Sequence, residues 1–546
     1  MQITKLIIEN YRSIKKVEIR LSPLFGLIGA NSSGKSNILR ALNLVLGEYY
    51  PTSNYITKKD FYNEDFNNDI KIIIYFDQTF VSYGAACSGV CFYTSHNNDD
   101  GSVAKEGNFT CELKAIVAST GQLQKYRMNG ISREDIPIIY IPAARNFDLH
   151  LFGDSKWSLR GRLITEFNRN FPSERVNTLY DSFSSVKSVL KTDQFNDFEN
   201  SFKSAFSEHI IPTENEVEVE FKPFDPKNYY KTIEIVPTEH TKLKNIDQIG
   251  DGIKNLILIA LFRAYANTFP KSTVFLIEEP EIYLHPQGRT DLFKVFESLS
   301  NNGSQIIYTT HSQEFLDISK FSFLGVVRKS FSGGEHNTKV VQINDAIFLE
   351  KWKTCNELKT ATLESLSMFL KRINDAETNR GLFAKKVLIV EGQTDKWLLE
   401  EYAKKVDFNL EKNNIEIVNA RGKPSILPYY LIYKELEYPI YVIFDADSSK
   451  SRNPEINKRL VRVILGSGFR FENNTVISDR VAIFKEDLET ELKSQIPNYT
   501  ELEREARAKY GIFEERNKEI IARHIAFVTE PPEFIKNIFS KLKPLE

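Results

Sequence analysis

Residues Gly29-Ala30-Asn31-Ser32-Ser33-Gly34-Lys35-Ser36 carry the spacing G-x-x-x-x-G-K-[ST], a pattern whose chemistry is the holding of phosphate. Gly29 and Gly34 let the backbone bend so that successive N–H groups converge on phosphate oxygens. Lys35 reaches the β- and γ-phosphates, and the Ser36 hydroxyl is a Mg²⁺ ligand. The following helix turns its positive end to the same anion. Asn31, Ser32 and Asn37 complete the expected cradle, and the expected cofactor is ATP with Mg²⁺. Further acids follow apolar runs. Val274–Ile277 leads into Glu278-Glu279-Pro280-Glu281, where Glu278 would orient the Mg²⁺ shell and Glu279 would polarise an attacking water. Lys385–Val390 leads into Glu391 and then Asp395, and Pro439–Phe444 leads into Asp445 and Asp447. Carboxylates at the C-terminal ends of adjacent parallel strands converge in space. Hard oxygen donors without His or Cys suit Mg²⁺ or Mn²⁺ rather than zinc, and such a cluster fits phosphodiester cleavage. The plain alternative for each acid pair is a strand end capped by solvated carboxylates.

The elements that must position these groups are legible as apolar patterns. Leu24–Ile28 predicts a buried strand entering the Gly29–Ser36 loop, followed by a helix with Ile38, Leu39 and Leu42 on one side. Strands are expected at 3–8, 17–21 and 71–76, and another at 136–146 that leads to Arg145. Residues 155–210 place aromatic and apolar residues at helical spacing among charges, predicting a helical insertion whose stripe must be buried on its own domain or on a second subunit. Segments 216–221 and 231–236 read as a β-hairpin. Gly250-Asp251-Gly252 precedes a strongly apolar helix over 248–266, which is either a turn or a second anion site. A strand over 304–312 delivers His311. The ATPase pattern ends after 330, and 351–384 read as a polar, helix-like connector. A new α/β pattern then runs over 385–546, with a second strand at 415–423. It continues with Glu486, Asp487 and Glu489 on or before a helix, and with a helix over 516–527 containing Lys518.

The chain has 546 residues, enough for two or more domains. A net charge of −2 leaves nucleic-acid binding to local basic patches. Cys87, Cys91, Cys111 and Cys355 lack the paired spacing of a zinc site. No apolar run approaches a membrane span, so a soluble, cytoplasmic protein with no membrane partner is expected.

The segment IENYRSIKKVEIRL followed by GLIGANSSGKS resembles the opening of ATP-binding-cassette (ABC) heads of the RecF/SMC kind. That resemblance implies that Gly250 and Gly252 belong to a signature segment reaching the other subunit's nucleotide. It also implies that IYLHP (282–286) is a D-loop and His311 a switch histidine at the γ-phosphate. Glu278 departs from the Asp usual there, which bears on the hydrolysis rate. VEGQTD (390–395) followed by Asp445-Ala446-Asp447 resembles the TOPRIM fold, and implies metal ligation by Glu391, Asp395, Asp445 and Asp447. Asp487 and Glu489 resemble a further metal-site segment. The helix with Lys518 is similar to one that carries a catalytic lysine in the related nucleases, a surface lysine being the alternative.

An ABC head joined to a TOPRIM domain is similar to the OLD (overcoming lysogenization defect) family. The implied fold is α/β: an ABC-type ATPase head over 1–350 with a helical dimerisation insertion at about 155–245, then a TOPRIM nuclease domain over 385–546. The implied activity is cutting or nicking of double-stranded DNA with a divalent metal under nucleotide control, in defence against phage. The implied assembly is a homodimer or homotetramer, with a UvrD/Rep-like helicase partner only in the Gabija branch. The competing reading is a RecF/SMC-like DNA-binding ATPase in repair with a non-cleaving TOPRIM domain. The joint presence of Glu391, Asp445 and Asp447 disfavours it. A topoisomerase would need a nucleophilic tyrosine domain, and a primase would usually bring a zinc module that the cysteines do not supply.

Overall fold

The strand entering the phosphate loop, β3 (Leu24–Ile28), is buried at every position, as a central strand of a parallel sheet must be. In the computed structural model the described residues are 1–95, 109–128, 138–143, 158–169, 171–197, 200, 238–239, 242–243, 257, 260–262, 264, 273–282, 284–332, 335–358, 360–449, 454–466, 468–469, 474–512 and 517–542. Before β3 come β1 (Ile3–Tyr11) and β2 (Ile14–Arg20), and after it α1 (Lys35–Leu46), β4 (Lys71–Ser82), β5 (Ala85–Ser95), β6 (Thr110–Val117) and β7 (Ile138–Ile141). Helices α2 (Leu159–Arg169) and α3 (Ser173–Leu190) lie in the expected insertion, followed by the short strands β8 (Thr238–Glu239) and β9 (Lys242–Leu243). Next are β10 (Val274–Glu278), α4 (Pro286–Asn301), β11 (Gln305–Thr310), β12 (Leu324–Ser332) and β13 (Glu335–Val341).

One sheet is antiparallel, in the order β2-β1-β4-β5-β6. The other runs β13-β12-β3-β11-β10-β7, parallel except for the β12–β13 hairpin. Side chains alternate across β3 because successive residues face opposite ways. Phe25 and Leu27 join Leu39, Ile74 and Phe92 in a core that wraps α1. Leu24 joins Phe275 and Phe296 on the far face. The sheets meet where β2 abuts β13: the Arg20 amide donates to Gln342 Oε1 (3.0 Å), and Gln342 Nε2 returns a bond to the Arg20 carbonyl (2.8 Å). The ATPase sheet therefore extends past 330. β13 escapes a reading by pattern because it is an edge strand with few buried side chains, interleaved with polar ones.

Residues 351–384, read as a connector, are built into the core. Helix α5 (Asp345–Asn356) is capped by Asn344, α6 (Leu363–Lys371) by Thr362 and α7 (Ala376–Gly381) by Asp375, each side chain accepting from an otherwise unpaired N–H. Their apolar stripes, with Phe348, Trp352, Leu366 and Leu370, join Ile28 and Val326 of the ATPase sheet to Val387, Ile389 and Val442 of the C-terminal sheet in one continuous cluster. The segment looks polar in sequence because each helix buries only one stripe.

The C-terminal part contains β14 (Lys386–Val390), α8 (Gln393–Lys405), β15 (Ile415–Asn419), α9 (Lys423–Glu435), β16 (Ile440–Asp445), α10 (Pro454–Leu465), β17 (Val476–Ile477) and β18 (Val481–Phe484). It ends with α11 (Leu488–Gln495), α12 (Tyr499–Tyr510), α13 (Lys518–Val528) and α14 (Glu533–Leu542). The sheet order is β15-β14-β16-β18-β17, parallel except at β17. One face carries α8, α13 and α14 through Leu399, Tyr402, Ile525 and Phe539. The other carries α9 and the shared cluster. Strand β15 stops at Asn419, short of the expected 423, because Arg421 (φ 56°) and Gly422 (φ 119°) turn the chain into α9.

A methyl group at Gly381 would lie 2.3 Å from the hydroxyl of Tyr433, which is fully buried and donates to the Thr378 carbonyl at 2.7 Å. Gly381→Ala is expected to cost about 1–3 kcal/mol, read as a lowered midpoint in urea unfolding.

Candidate functional site

The phosphate loop has the backbone its glycines predict. Gly29 has φ 145°, Ser32 φ 59° and Gly34 φ 110°. A Cβ at Gly29 would meet the Val327 carbonyl at 2.1 Å, and one at Gly34 would meet Thr338 Oγ1 at 2.3 Å. Both glycines are therefore required by space as well as by φ. Thr338 fastens the loop from β13 by donating to the Ser33 carbonyl (3.0 Å) and pairing with Ser13 Oγ (2.8 Å). Asn37 Nδ2 also reaches Ser13 Oγ (2.8 Å). Lys35 opens α1 and is buried, with its ammonium donating to the carbonyls of Gly29 (2.9 Å) and Ala30 (3.0 Å). Burial pushes Lys35 down to about 8, against the pull of Glu279 and Glu281. Ser33 Oγ is buried without a partner. A cradle that excludes Cβ atoms, an orphaned hydroxyl and a helix N-terminus together fit a phosphate group. Asn31 and Ser32 are exposed at the mouth, and Ser36 is half-buried one residue into the helix.

Behind the loop, β10 and β11 place the acids and His311. Glu278 is buried at the end of β10. Its Oε1 accepts from the Tyr140 hydroxyl (2.8 Å), its Oε2 from the Ala143 amide (3.3 Å), and Arg40 lies 3.8 Å away. Glu279 adopts φ 43°, a left-handed backbone of the kind that clusters at functional sites. His311 Nε2 stands 2.8 Å from the Lys35 ammonium and 3.9 Å from Glu279. Burial, and then Lys35, push His311 down to about 4. The ring is therefore neutral near pH 7, and its Nε2 accepts from the lysine, which has only donors to offer. Glu281 is buried, is pushed up by burial, and accepts from the His311 amide at 2.6 Å.

The depressed histidine has a consequence for acid stability. Between about pH 6.5 and 4 the unfolded chain binds the proton that folded His311 refuses, so stability falls as pH falls through that window. His311→Gln should make the loss shallower, with the variant's Tm about 1–3 °C closer to its neutral value near pH 5 than the parent's, measured on nucleotide-free protein.

The second site lies at the C-terminal ends of β14, β16 and β18. Glu391, Asp395, Asp445, Asp447, Asp487 and Glu489 line one cavity of about 270 Å³, with Arg507 and Lys518 on its rim. Each acid is fixed by a local bond. Glu391 Oε2 accepts from the Asp445 amide (3.2 Å), and Asp445 Oδ1 from the Leu488 amide (3.0 Å). Asp395 accepts from the Gly392 amide (3.0 Å), and Asp487 caps α11 through the Thr490 amide (2.8 Å). Asp447, at φ 48°, accepts from the Lys423 ammonium at 2.7 Å. Glu486 points away, to Ser449 (2.6 Å). Burial pushes the carboxyls of Asp445 and Asp395 well up, and Glu391 and Asp487 push both further in the same direction. Among the described residues no three of His, Cys, Asp and Glu are disposed to hold a metal ion as they stand. The donor set is nevertheless all-oxygen, and its mutual repulsion is what a hard cation relieves.

The sequence-predicted residues thus fall into two groups. Gly29, Gly34, Lys35, Ser36, Asn37, Glu278, Glu279 and His311 gather around the loop, and the acids with Lys518 gather around the basin. Lys518 is about half exposed and 4.0 Å from Glu489. Gly250, Gly252 and Arg145 lie outside the described residues, as do the strands expected at 216–221 and 231–236. Pattern reading did not single out Tyr140, Arg40, Glu281 or Lys423. The run ARGK (420–423) after a strand was a usable signal for the last of these. Among the described residues no helix is long and apolar enough to cross a membrane.

A family model described as "AAA ATPase domain" matches residues 1–128 and 112–316, and one for the TOPRIM domain of overcoming-lysogenization-defect-like proteins matches 382–447. The chain is 26% identical over 461 residues to the OLD nuclease of Thermus scotoductus, covering 82% of each chain. It is 22% identical over 480 residues to the Old nuclease of Escherichia phage P2, covering 82% of this chain and 77% of that one. Against the endonuclease GajA of Bacillus cereus it is 24% identical over 451 residues, covering 77% and 71%. With a phosphate loop built for a nucleotide and an acidic basin at the strand ends of its C-terminal sheet, the chain belongs to the AAA ATPase domain family and carries, at residues 382–447, the TOPRIM domain of overcoming-lysogenization-defect-like proteins.

Proposed function

We propose that this protein is a divalent-metal-dependent endonuclease acting on double-stranded DNA, with an ATPase head that binds and hydrolyses ATP and governs cleavage. The observation that carries the reading is the convergence of Glu391, Asp395, Asp445, Asp447 and Asp487 in one cavity, in a chain whose relatives are named nucleases. A divalent cation, Mg²⁺ or Mn²⁺, supplies when bound the charge neutralisation and water activation that phosphodiester hydrolysis needs. The basin carboxylates and Glu489 would hold it, and Lys518 would offset charge on the phosphate. In the head, Lys35 and the loop amides would bind the β- and γ-phosphates, with Ser36 and Glu278 serving the Mg²⁺ of the nucleotide. Glu279 would orient the attacking water and His311 would sense the γ-phosphate.

Helix α3, most of whose described side chains are exposed, Val186 and Val189 among them, supports a homodimer or homotetramer formed through the insertion. Gly250 and Gly252 of one subunit would then close on the partner's nucleotide. A cytoplasmic role in defence against phage accords with the resemblance to GajA, and a helicase partner rests on that resemblance alone. The test is supercoiled plasmid incubated with purified protein, with Mg²⁺ or Mn²⁺ or a chelator, and with or without ATP. Metal-dependent nicking or linearisation that responds to ATP is the expected result. Intact plasmid under every condition, with protein still bound to it, would favour the DNA-binding ATPase instead.

A further inference from the structure

Lys423 occupies an unusual place for a lysine. It is the first residue of α9, at the helix end that disfavours a cation, yet its side chain is only 12% exposed. The turn that delivers it is held from two directions. The Gly422 amide donates to the backbone carbonyl of Glu391 (2.8 Å), and the Arg421 guanidinium pairs with Asp375, the cap of α7, at 2.6 Å. The ammonium so placed lies 2.7 Å from Oδ2 of Asp447, whose backbone is itself fixed in a left-handed conformation with its amide donating to the Glu486 carbonyl (2.9 Å). By contrast, Lys518 is 52% exposed and 4.0 Å from Glu489.

We infer that Lys423 is a placeholder cation for the metal centre: it holds Asp447 while the basin lacks a divalent ion, and yields it when one binds. A carboxylate oxygen engaged by an ammonium cannot give its full charge to an incoming ion, and two cations at the same carboxylate repel. Lys423 therefore competes with the metal and raises the concentration at which the basin fills. It acts through Asp447 and is a positioning residue. The inference rests on the proposed nuclease reading, and names a control on the metal demand of that same site.

The test is Mn²⁺ binding to the full-length, nucleotide-free protein without DNA, followed by the electron paramagnetic resonance signal of free Mn²⁺. Lys423→Met should bind Mn²⁺ about tenfold more tightly than the parent, and Lys423→Arg about as the parent does. In an Asp447→Asn background, adding Lys423→Met should change the affinity less than about twofold. Equal or weaker binding by Lys423→Met overturns the inference while leaving the nuclease reading standing. No Mn²⁺ binding by the parent overturns both. A measurement on the unmodified chain guards against a misfolded variant: acetylation of Lys423 by an amine-reactive reagent, read by mass spectrometry, should accelerate several-fold when Mn²⁺ is added. An unchanged or slower rate counts against the inference.

Discussion

Asp445→Asn and Glu391→Ala are each expected to lower metal-dependent DNA cleavage by about three orders of magnitude or more, with nucleotide binding retained. Three orders correspond to roughly 4 kcal/mol of transition-state stabilisation, a reasonable loss for a carboxylate that positions a metal at the reacting phosphate. Asp445 is the sharper test. Its Oδ1 accepts from the Leu488 amide, a bond an asparagine oxygen keeps, so α11 stays docked. Burial, reinforced by Asp395, Glu391 and Asp487, pushes its proton affinity up. The neutral amide therefore relieves repulsion, and the metal-free variant should melt no lower than the parent. Cleavage within tenfold of the parent, in a variant of unchanged Tm, would mean the basin is not the reaction centre. Retained cleavage in Glu391→Ala would say the same of the strand end that anchors it.

Lys35→Ala is expected to weaken ATP binding about 100- to 1000-fold, measured by displacement of a fluorescent nucleotide. Charge-assisted hydrogen bonds contribute roughly 1.5–3 kcal/mol each, and a phosphate-bound Lys35 would make more than one. In the structure its ammonium also ties the carbonyls of Gly29 and Ala30 to His311, so the truncation removes the loop's internal brace together with the ligand contact. Lys35→Arg should not restore binding, because the side chain is buried beneath the loop and a planar guanidinium needs room the ammonium does not. Near-parental affinity in Lys35→Ala would mean that nucleotide binds elsewhere. Whether cleavage rises or falls in this variant gives the sign of nucleotide control.

Much of this arrangement is legible in the sequence, for particular reasons. The glycine spacing of 29–34 encodes a backbone path, and Gly29 and Gly34 have the positive φ that path demands. Strands β3, β10, β14 and β16 are short apolar runs with polar punctuation at their C-terminal ends, so the sequence itself points to Glu278, Glu391 and Asp445. What escaped is what depends on neighbours distant in sequence. Tyr140 matters because β7 happens to lie beside β10. Glu281 matters because a turn brings it under the His311 amide. Lys423 matters only once β15, β14 and β16 are in register. Residues 351–384 read as polar because the one buried stripe in each of their helices is diluted by charged residues facing outward.

That apolar seam has a thermodynamic meaning. Ile28, the residue just before Gly29, belongs to the same buried cluster as Val387 and Ile389 of the strand that leads into Glu391. A chain so knitted is expected to melt in a single calorimetric transition, and whatever binds its native form then holds all of it by mass action. Nucleotide at a hundred times its dissociation constant adds about 2.7 kcal/mol to the folded state, and that increment protects β14 and β16 as much as the loop that touches the phosphate. The cell's ATP supply would thus set how often the acidic basin opens, even in a molecule whose nucleotide never comes near it.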